Sequence, residues 1–192
     1  MPEPTKKRTR AFVTADKFGM WLKVNHADES ELWLKIYKKA SGKQTVNWED
    51  AVIEALCWGW IDGGKKPLDE LAYLQRFTPR RKGSNWSKRN REHVERLIAA
   101  GRMQSAGLAH VDAAKADGRW DTAYAPSSEM MIPDDFLAAL ELHPKAKKFF
   151  ATLNKAILYA IAYRLATAKK PETRQRRFDK MLTMMENNEK FH

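Results

Sequence analysis

The repeat of apolar residues changes along the chain, and this change most limits the folds that the chain can adopt. Apolar and more polar residues alternate over 31–39, which is the period of a β-strand. The segments 60–69 and 73–80 have extended patterns around a turn that contains proline and aspartate. From residue 133 onward the pattern is helical. We therefore expect an α+β fold, with a small antiparallel three-stranded sheet packed with helices, followed by an all-helical C-terminal module.

Helix starts are marked by capping residues and by prolines. Side chains that accept a hydrogen bond from the first turn favour helix starts after Asn47, Ser87 and Asn154. Proline in the first turn favours further starts at Pro144 and Pro171. Shorter amphipathic patterns predict helices opening near residues 16, 105 and 133.

Composition divides the chain into four segments. Residues 1–10 combine prolines with basic side chains and little apolar surface, which predicts a flexible basic arm. Residues 11–118 form the predicted α+β domain, and 119–132, with no helical period, form a predicted linker. Residues 133–192 form the predicted helical module.

Charge and cysteine content limit the classes of partner and the cellular compartment that we expect. The 192 residues include 35 Lys and Arg against 24 Asp and Glu, a net charge of +11, which favours anionic partners. A single cysteine, Cys57, permits no internal disulfide and no cysteine-based zinc site. Scattered histidines give no metal-ligand spacing, and no motif indicates a cofactor. No apolar run is long enough to span a membrane and the N-terminus lacks a signal-peptide pattern, so we expect a cytoplasmic location.

The densest chemical signal is the basic segment 76–91. Guanidinium groups, hydroxyls, a glycine turn and the start of the next helix are the groups that a phosphate or carboxylate site needs. The alternative is a solvated loop whose arginines pair with surface carboxylates. Apart from Arg76, the anion-site hypothesis takes five residues from this segment: Thr78, Arg80, Arg81, Ser84 and Trp86.

A second signal is the segment 54–63, EALCWGWIDG. If the hairpin turn centres on Asp69, Trp60 lies opposite Thr78 and Asp62 lies opposite Arg76. Trp60, Asp62 and Arg76 would then form a pocket for a planar ligand, with Trp86 as a second ring. The alternative is that Asp62 and Arg76 form a structural ion pair while the tryptophans fill the core.

Basic residues outside that pocket suggest a different function. Together they would form one electrostatic surface for nucleic acid, in keeping with the excess of Lys and Arg. The residues are Lys82, Lys88, Arg89, Arg91, Arg174 and Arg177. An enzyme using Asp62 or Glu54 as acid or base has less support, because no nucleophile or metal set accompanies either carboxylate. No catalytic residue is assigned.

The motifs EALCWGWIDG and RFTPRRKGSNWS, with PDDFLAAL and AKKPETRQRR near the end, resemble the YdeI/OmpD-associated proteins, a bacterial family labelled bacteriocin-protection. The resemblance runs from Phe18 to Met185. It implies a cytosolic α+β domain with a helical C-terminal module, and no established reaction. The family's recurring residues fall here on five positions: Trp60, Asp62, Arg76, Arg80 and Trp86. The apolar run AILYAIAY departs from the more polar sequences typical of relatives.

These observations predict a non-enzymatic protein that binds an anionic small molecule and has a protective or stress-linked role. Arg76, Arg80 and Arg81 would hold the anion, and Trp60 and Trp86 would stack on the ligand. The alternative prediction is a nucleic-acid-binding protein that uses its basic surface. The oligomeric state stays open.

Overall fold

A computed structural model describes Pro4, residues 8–126 and residues 129–189. The chain divides into two compact units. The first contains residues 1–86 and 90–122, and the second contains residues 87–89 and 123–192. Most of the predicted basic arm lies outside the described residues. Within the arm, Thr9 and Arg10 form a short strand.

The first unit is built on a four-stranded sheet, so the prediction of three strands is wrong. The strands are β1 (Thr9–Arg10), β2 (Leu32–Tyr37), β3 (Trp60–Pro67) and β4 (Ala72–Pro79), in the order β1-β2-β4-β3. The additional strand, β1, pairs in parallel with β2, and the other two pairings are antiparallel. A two-residue polar strand has too short a pattern to be recognised before its partner is known.

The register of the β3–β4 hairpin differs from the predicted one by one residue. Asp62 lies opposite Phe77 and Trp60 lies opposite Pro79. The register also shifts between Asp62 and Lys65, where two glycines interrupt the regular pairing. Because side chains alternate between faces of a sheet, a one-residue slip puts Asp62 and Arg76 on opposite faces. The predicted Asp62–Arg76 pair is therefore wrong.

Helices α1 and α2 pack together beside this sheet. Helix α1 (Ala15–Asn25) begins after Thr14, whose hydroxyl caps Lys17 N, and α2 (Trp48–Cys57) begins after the predicted cap, Asn47. Phe18 of α1 meets Phe77 of β4 edge-on, with ring centroids 5.4 Å apart. The unit also contains a 3₁₀ turn (Lys39–Ser41) and α4 (Ser105–Ala116), while most of α3 (Lys88–Ala99) belongs to it.

The regular elements described after residue 132 are helices. They are α5 (Asp134–Leu142), α6 (Pro144–Phe150), α7 (Lys155–Ala166) and α8 (Pro171–Glu186), with Asn154 and the two prolines at the predicted starts. Their buried side chains form one core: Phe136, Leu140, Ala146, Ile161, Leu165, Met181 and Met185. Within the described part of the chain, no helix is both long and apolar enough to cross a membrane.

Candidate anion-binding site

Arg80 is the first residue of the loop that follows β4, residues 80–86, which we call the Arg80 loop. Its side chain is buried, and its guanidinium carbon lies 3.8 Å from the centre of the Trp86 ring. One guanidinium nitrogen, Nη1, donates to the carbonyl of Asn85 at 3.0 Å. Gly83 has a φ of +75°, a left-handed conformation that favours glycine and lets the loop turn back. The structure thus brings the predicted residues Arg80 and Trp86 into direct contact.

A second guanidinium reaches the same loop from a distant part of the chain. Arg119 Nη1 donates to the carbonyl of Ser84 at 2.7 Å, while its Nε contacts Asp117 at 2.7 Å. The adjacent Trp120 is buried and meets Trp86 edge-on, with ring centroids 5.0 Å apart. Sequence reasoning missed both residues, because they open the segment interpreted as a linker. A tryptophan two residues after Gly118, the glycine that follows the helix, was the available signal for a packed segment.

The indole nitrogen of Trp86 is the unusual polar group of this cluster. Trp86 is buried, and its Nε1 has no hydrogen-bond partner among the described residues. Buried polar groups normally have a partner, because leaving one unsatisfied is costly. Trp86 therefore has a hydrogen-bond donor available beside the Arg80 guanidinium.

His110 reports the positive potential of this cluster. Burial lowers its pKa, and the charges of Arg80 and Arg119 lower it further. Burial is the larger cause, and the guanidinium charges add the smaller part. An anion near the two guanidinium groups would offset that smaller part.

Three other residues of the predicted pocket, Arg81, Ser84 and Thr78, lie in or next to the Arg80 loop. Arg81 is exposed, and its carbonyl accepts hydrogen bonds from the backbone and hydroxyl of Ser84. Thr78 is half-buried and pairs with Ile61 in the sheet. Arg81 and Ser84 thus belong to the Arg80 loop, whereas Thr78 belongs to the strand before it.

Trp60, Asp62 and Arg76 make their contacts elsewhere. Trp60 is buried against Trp21, and its indole donates to the His26 carbonyl at 3.1 Å. Asp62 accepts from Trp48 Nε1 at 3.2 Å. Arg76 donates to Glu31 at 2.8 Å. Trp60 and Trp86 therefore belong to separate aromatic clusters.

Several residues of the predicted nucleic-acid surface are engaged in internal contacts. Arg174 makes a two-pronged ion pair with Asp135, at 2.7 and 2.9 Å. Arg177 donates to the Arg164 carbonyl at 2.7 Å, and Arg91 donates to the Trp120 carbonyl at 3.2 Å. The side chains of Lys82, Lys88 and Arg89 are exposed.

Comparison with known proteins gives a family for each half of the chain. Residues 10–110, more than half of the chain, match the model described as domain of unknown function DUF8412. The chain belongs to the DUF8412 family. Residues 129–188 match the family described as bacteriocin-protection, YdeI or OmpD-associated, which confirms that resemblance over the helical part of the chain. The two motifs that first suggested it lie within the DUF8412 match. No curated protein and no solved structure matches the chain significantly.

Proposed function

We propose that this DUF8412 protein binds a small anion, of the phosphate or carboxylate class, at the Arg80 loop. The supporting observation is the convergence of two guanidinium groups, because Arg80 and Arg119 donate to the carbonyls of the adjacent residues Asn85 and Ser84. Guanidinium groups have further donors in a planar fork that matches oxyanions. The exposed Arg81 adds a positive charge, and the Trp86 indole adds a neutral donor.

This site differs from the one expected from sequence. Arg80, Arg81, Ser84 and Trp86 remain in the proposal, and Arg119 replaces Arg76 as the second strong anion ligand. Trp60 and Asp62 are left out, because their contacts lie with the α1 and α2 helices.

Calorimetry on the whole chain tests the proposal, with inorganic phosphate and pyrophosphate as probes. We expect binding, and we expect Arg119→Gln to weaken it by about tenfold or more, since about 1.4 kcal/mol corresponds to a factor of ten. Arg119→Lys should restore part of the affinity by keeping the charge. Lys17→Gln removes a positive charge from an exposed position on α1 in the same unit and should leave affinity unchanged. Absence of binding by the unmodified chain would overturn the proposal.

Nucleic acid is the alternative partner, and the salt dependence of the affinity distinguishes it from a small anion. A single-stranded oligonucleotide that contacts several phosphates loses affinity steeply as salt rises, because counterions are released. We expect a shallow dependence for pyrophosphate and no tight oligonucleotide binding. Tight oligonucleotide binding with a steep salt slope, weakened by Lys82→Gln, would favour the nucleic-acid function instead.

The proposed biological role is protection or stress response in the cytoplasm. Its support is the name of the family matched by residues 129–188, together with the single cysteine, which suits a reducing compartment. Bacteria that produce the unmodified chain should survive a bacteriocin challenge better than bacteria that produce Arg119→Gln at equal abundance. Equal survival would mean that protection does not depend on anion binding by Arg119.

A further inference from the structure

A second charged cavity lies in the first unit, and it shares no lining residue with the Arg80 loop. It has a volume of about 400 Å³, within the range of small-molecule sites. It lies between α1, α2 and the segment that follows α3. The lining residues are Asp16, Gly19, Met20, Lys23, Glu54, Cys57, Trp58, Arg102 and Gln104. An adjoining cavity of about 290 Å³ shares Asp16, Glu54 and Arg102 and adds Asp50.

Glu54 is the central polar group of this cavity. The residue is 9% exposed, and its Oε1 accepts a hydrogen bond from Arg102 Nη2. Its other oxygen, Oε2, accepts no hydrogen bond from the described residues. That oxygen faces Gly19, where an added Cβ would lie only 2.7 Å away. The Glu54 side chain is 11% exposed, so this oxygen can accept a hydrogen bond from a ligand.

Groups of both charges line the cavity. Asp16 lines the cavity from α1, and together with Glu54 it provides negative charge for an ammonium group. Arg102 is half-exposed and uses one nitrogen for Glu54, so the remaining donors of its guanidinium can bind a carboxylate. Lys23, on α1, adds a second positive charge to the lining.

Met20 and Trp58 supply the apolar part of the lining. Met20, on α1, is 60% exposed. Trp58 follows α2, and its ring centre lies 4.8 Å from that of His26. Among the described residues, no group of acids, histidines or cysteine is arranged to hold a metal ion.

We propose that this cavity binds a free α-amino acid with an apolar side chain. Its ammonium would donate to Glu54 Oε2 and Asp16, its carboxylate would accept from Arg102 and Lys23, and its side chain would contact Met20 and Trp58. A zwitterion matches both charges at once, whereas a simple amine or acid leaves one pair of groups unused. This inference is independent of the anion site.

Calorimetry on the whole chain tests it, with L-phenylalanine and L-leucine as probes. Two derivatives isolate the charges: N-acetyl-L-phenylalanine lacks the ammonium, and L-phenylalaninamide lacks the carboxylate. We expect L-phenylalanine to bind and each derivative to bind about tenfold more weakly or worse. No binding of either amino acid at concentrations up to about 10 mM would overturn the proposal. Equal affinity for L-phenylalanine and its amide would also overturn it, since the carboxylate would then be unused.

Variants locate the binding. Glu54→Gln keeps the shape of the side chain and removes the charge, and it should weaken binding by about tenfold. Lys23→Gln should weaken it less, while Lys17→Gln, on the same helix but outside the cavity, is the charge-matched control. Thermal unfolding of each variant shows whether it is folded. Arg119→Gln should leave amino-acid binding unchanged. If Glu54→Gln is folded and binds as tightly as the unmodified chain, the proposal is wrong.

Discussion

Arg76 Nε donates to Glu31 Oε2 at 2.8 Å, joining the middle of β4 to the residue that precedes β2. Glu31 is 3% exposed, and its second oxygen accepts from Arg8 Nη1, also at 2.8 Å. The carboxylate is thus held between two guanidinium groups, one from Arg76 in β4 and one from Arg8, the residue that precedes β1. This arrangement ties the N-terminal strand to the centre of the sheet.

Removal of Arg76 should destabilise the first unit. Arg76→Ala leaves a buried carboxylate with only one partner, and we expect a loss of about 1 to 3 kcal/mol in the free energy of unfolding. The matched variant is Arg8→Ala, which also leaves Glu31 with one partner, but the Arg8 side chain is 46% exposed against 21% for Arg76, so water can replace its guanidinium more easily. That variant should cost less than about 1 kcal/mol. Urea unfolding measures both, and equal costs would contradict the burial argument.

The stability of the unit should depend on the ionisation of Glu31. Burial raises the pKa of Glu31, but the hydrogen bonds and charges of Arg8 and Arg76 outweigh it, so the pKa lies below its usual 4.5. The stabilisation is therefore complete above that value and is lost as the pH falls through the folded-state pKa. Urea unfolding between neutral pH and pH 3 should show a smaller fall for Glu31→Gln than for the unmodified chain. If the free energy of unfolding falls equally with pH in both proteins, Glu31 does not contribute to the pH dependence.

Local signals predicted much of this fold, while contacts between distant residues were out of reach. Asn47 and Asn154 could be recognised as caps because each bonds an amide three residues away. The hairpin register could not be predicted, because it depends on the turn position and on the irregularity after Asp62. Arg119 could not be placed beside Ser84, because the two are 35 residues apart and no periodic pattern links them.

The two leucines near the end of α5 should respond very differently to truncation. Leu140 is 2% exposed in the core of the second unit, whereas Leu142 is 81% exposed. Leu140→Ala should lower the free energy of unfolding by about 2 to 5 kcal/mol, from lost burial and a residual cavity. Leu142→Ala should change it by no more than about 0.5 kcal/mol. Denaturation of both variants checks this, and similar losses would mean that the helix is packed in another orientation.

Cys57 should react slowly in the folded protein. Burial is the main cause that raises the pKa of its thiol from 9.0 to about 11, and the charge of Glu54 adds to it. A rise of two units lowers the thiolate fraction by about 100-fold at neutral pH, and the thiolate is the reactive form. Iodoacetamide labelling at pH 8 should be slower by at least that factor than labelling of the unfolded chain in guanidinium chloride. Similar rates would show that the thiol is accessible.

His110 is a probe of the guanidinium charges at the Arg80 loop. Burial and the charges of Arg80 and Arg119 lower its pKa below 6.5, so protonation is harder in the folded state than in the unfolded chain. Stability from this source is complete above pH 6.5 and falls as the pH drops below it. Arg119→Gln removes one of the charges and should raise the pKa of His110, which NMR titration of the imidazole protons reports.

The same titration links the field to ligand binding. An anion held by Arg80 and Arg119 adds negative charge near His110, so saturating pyrophosphate should raise its pKa in the unmodified chain. A pKa of His110 that stays constant while pyrophosphate binds would place the anion away from the Arg80 loop.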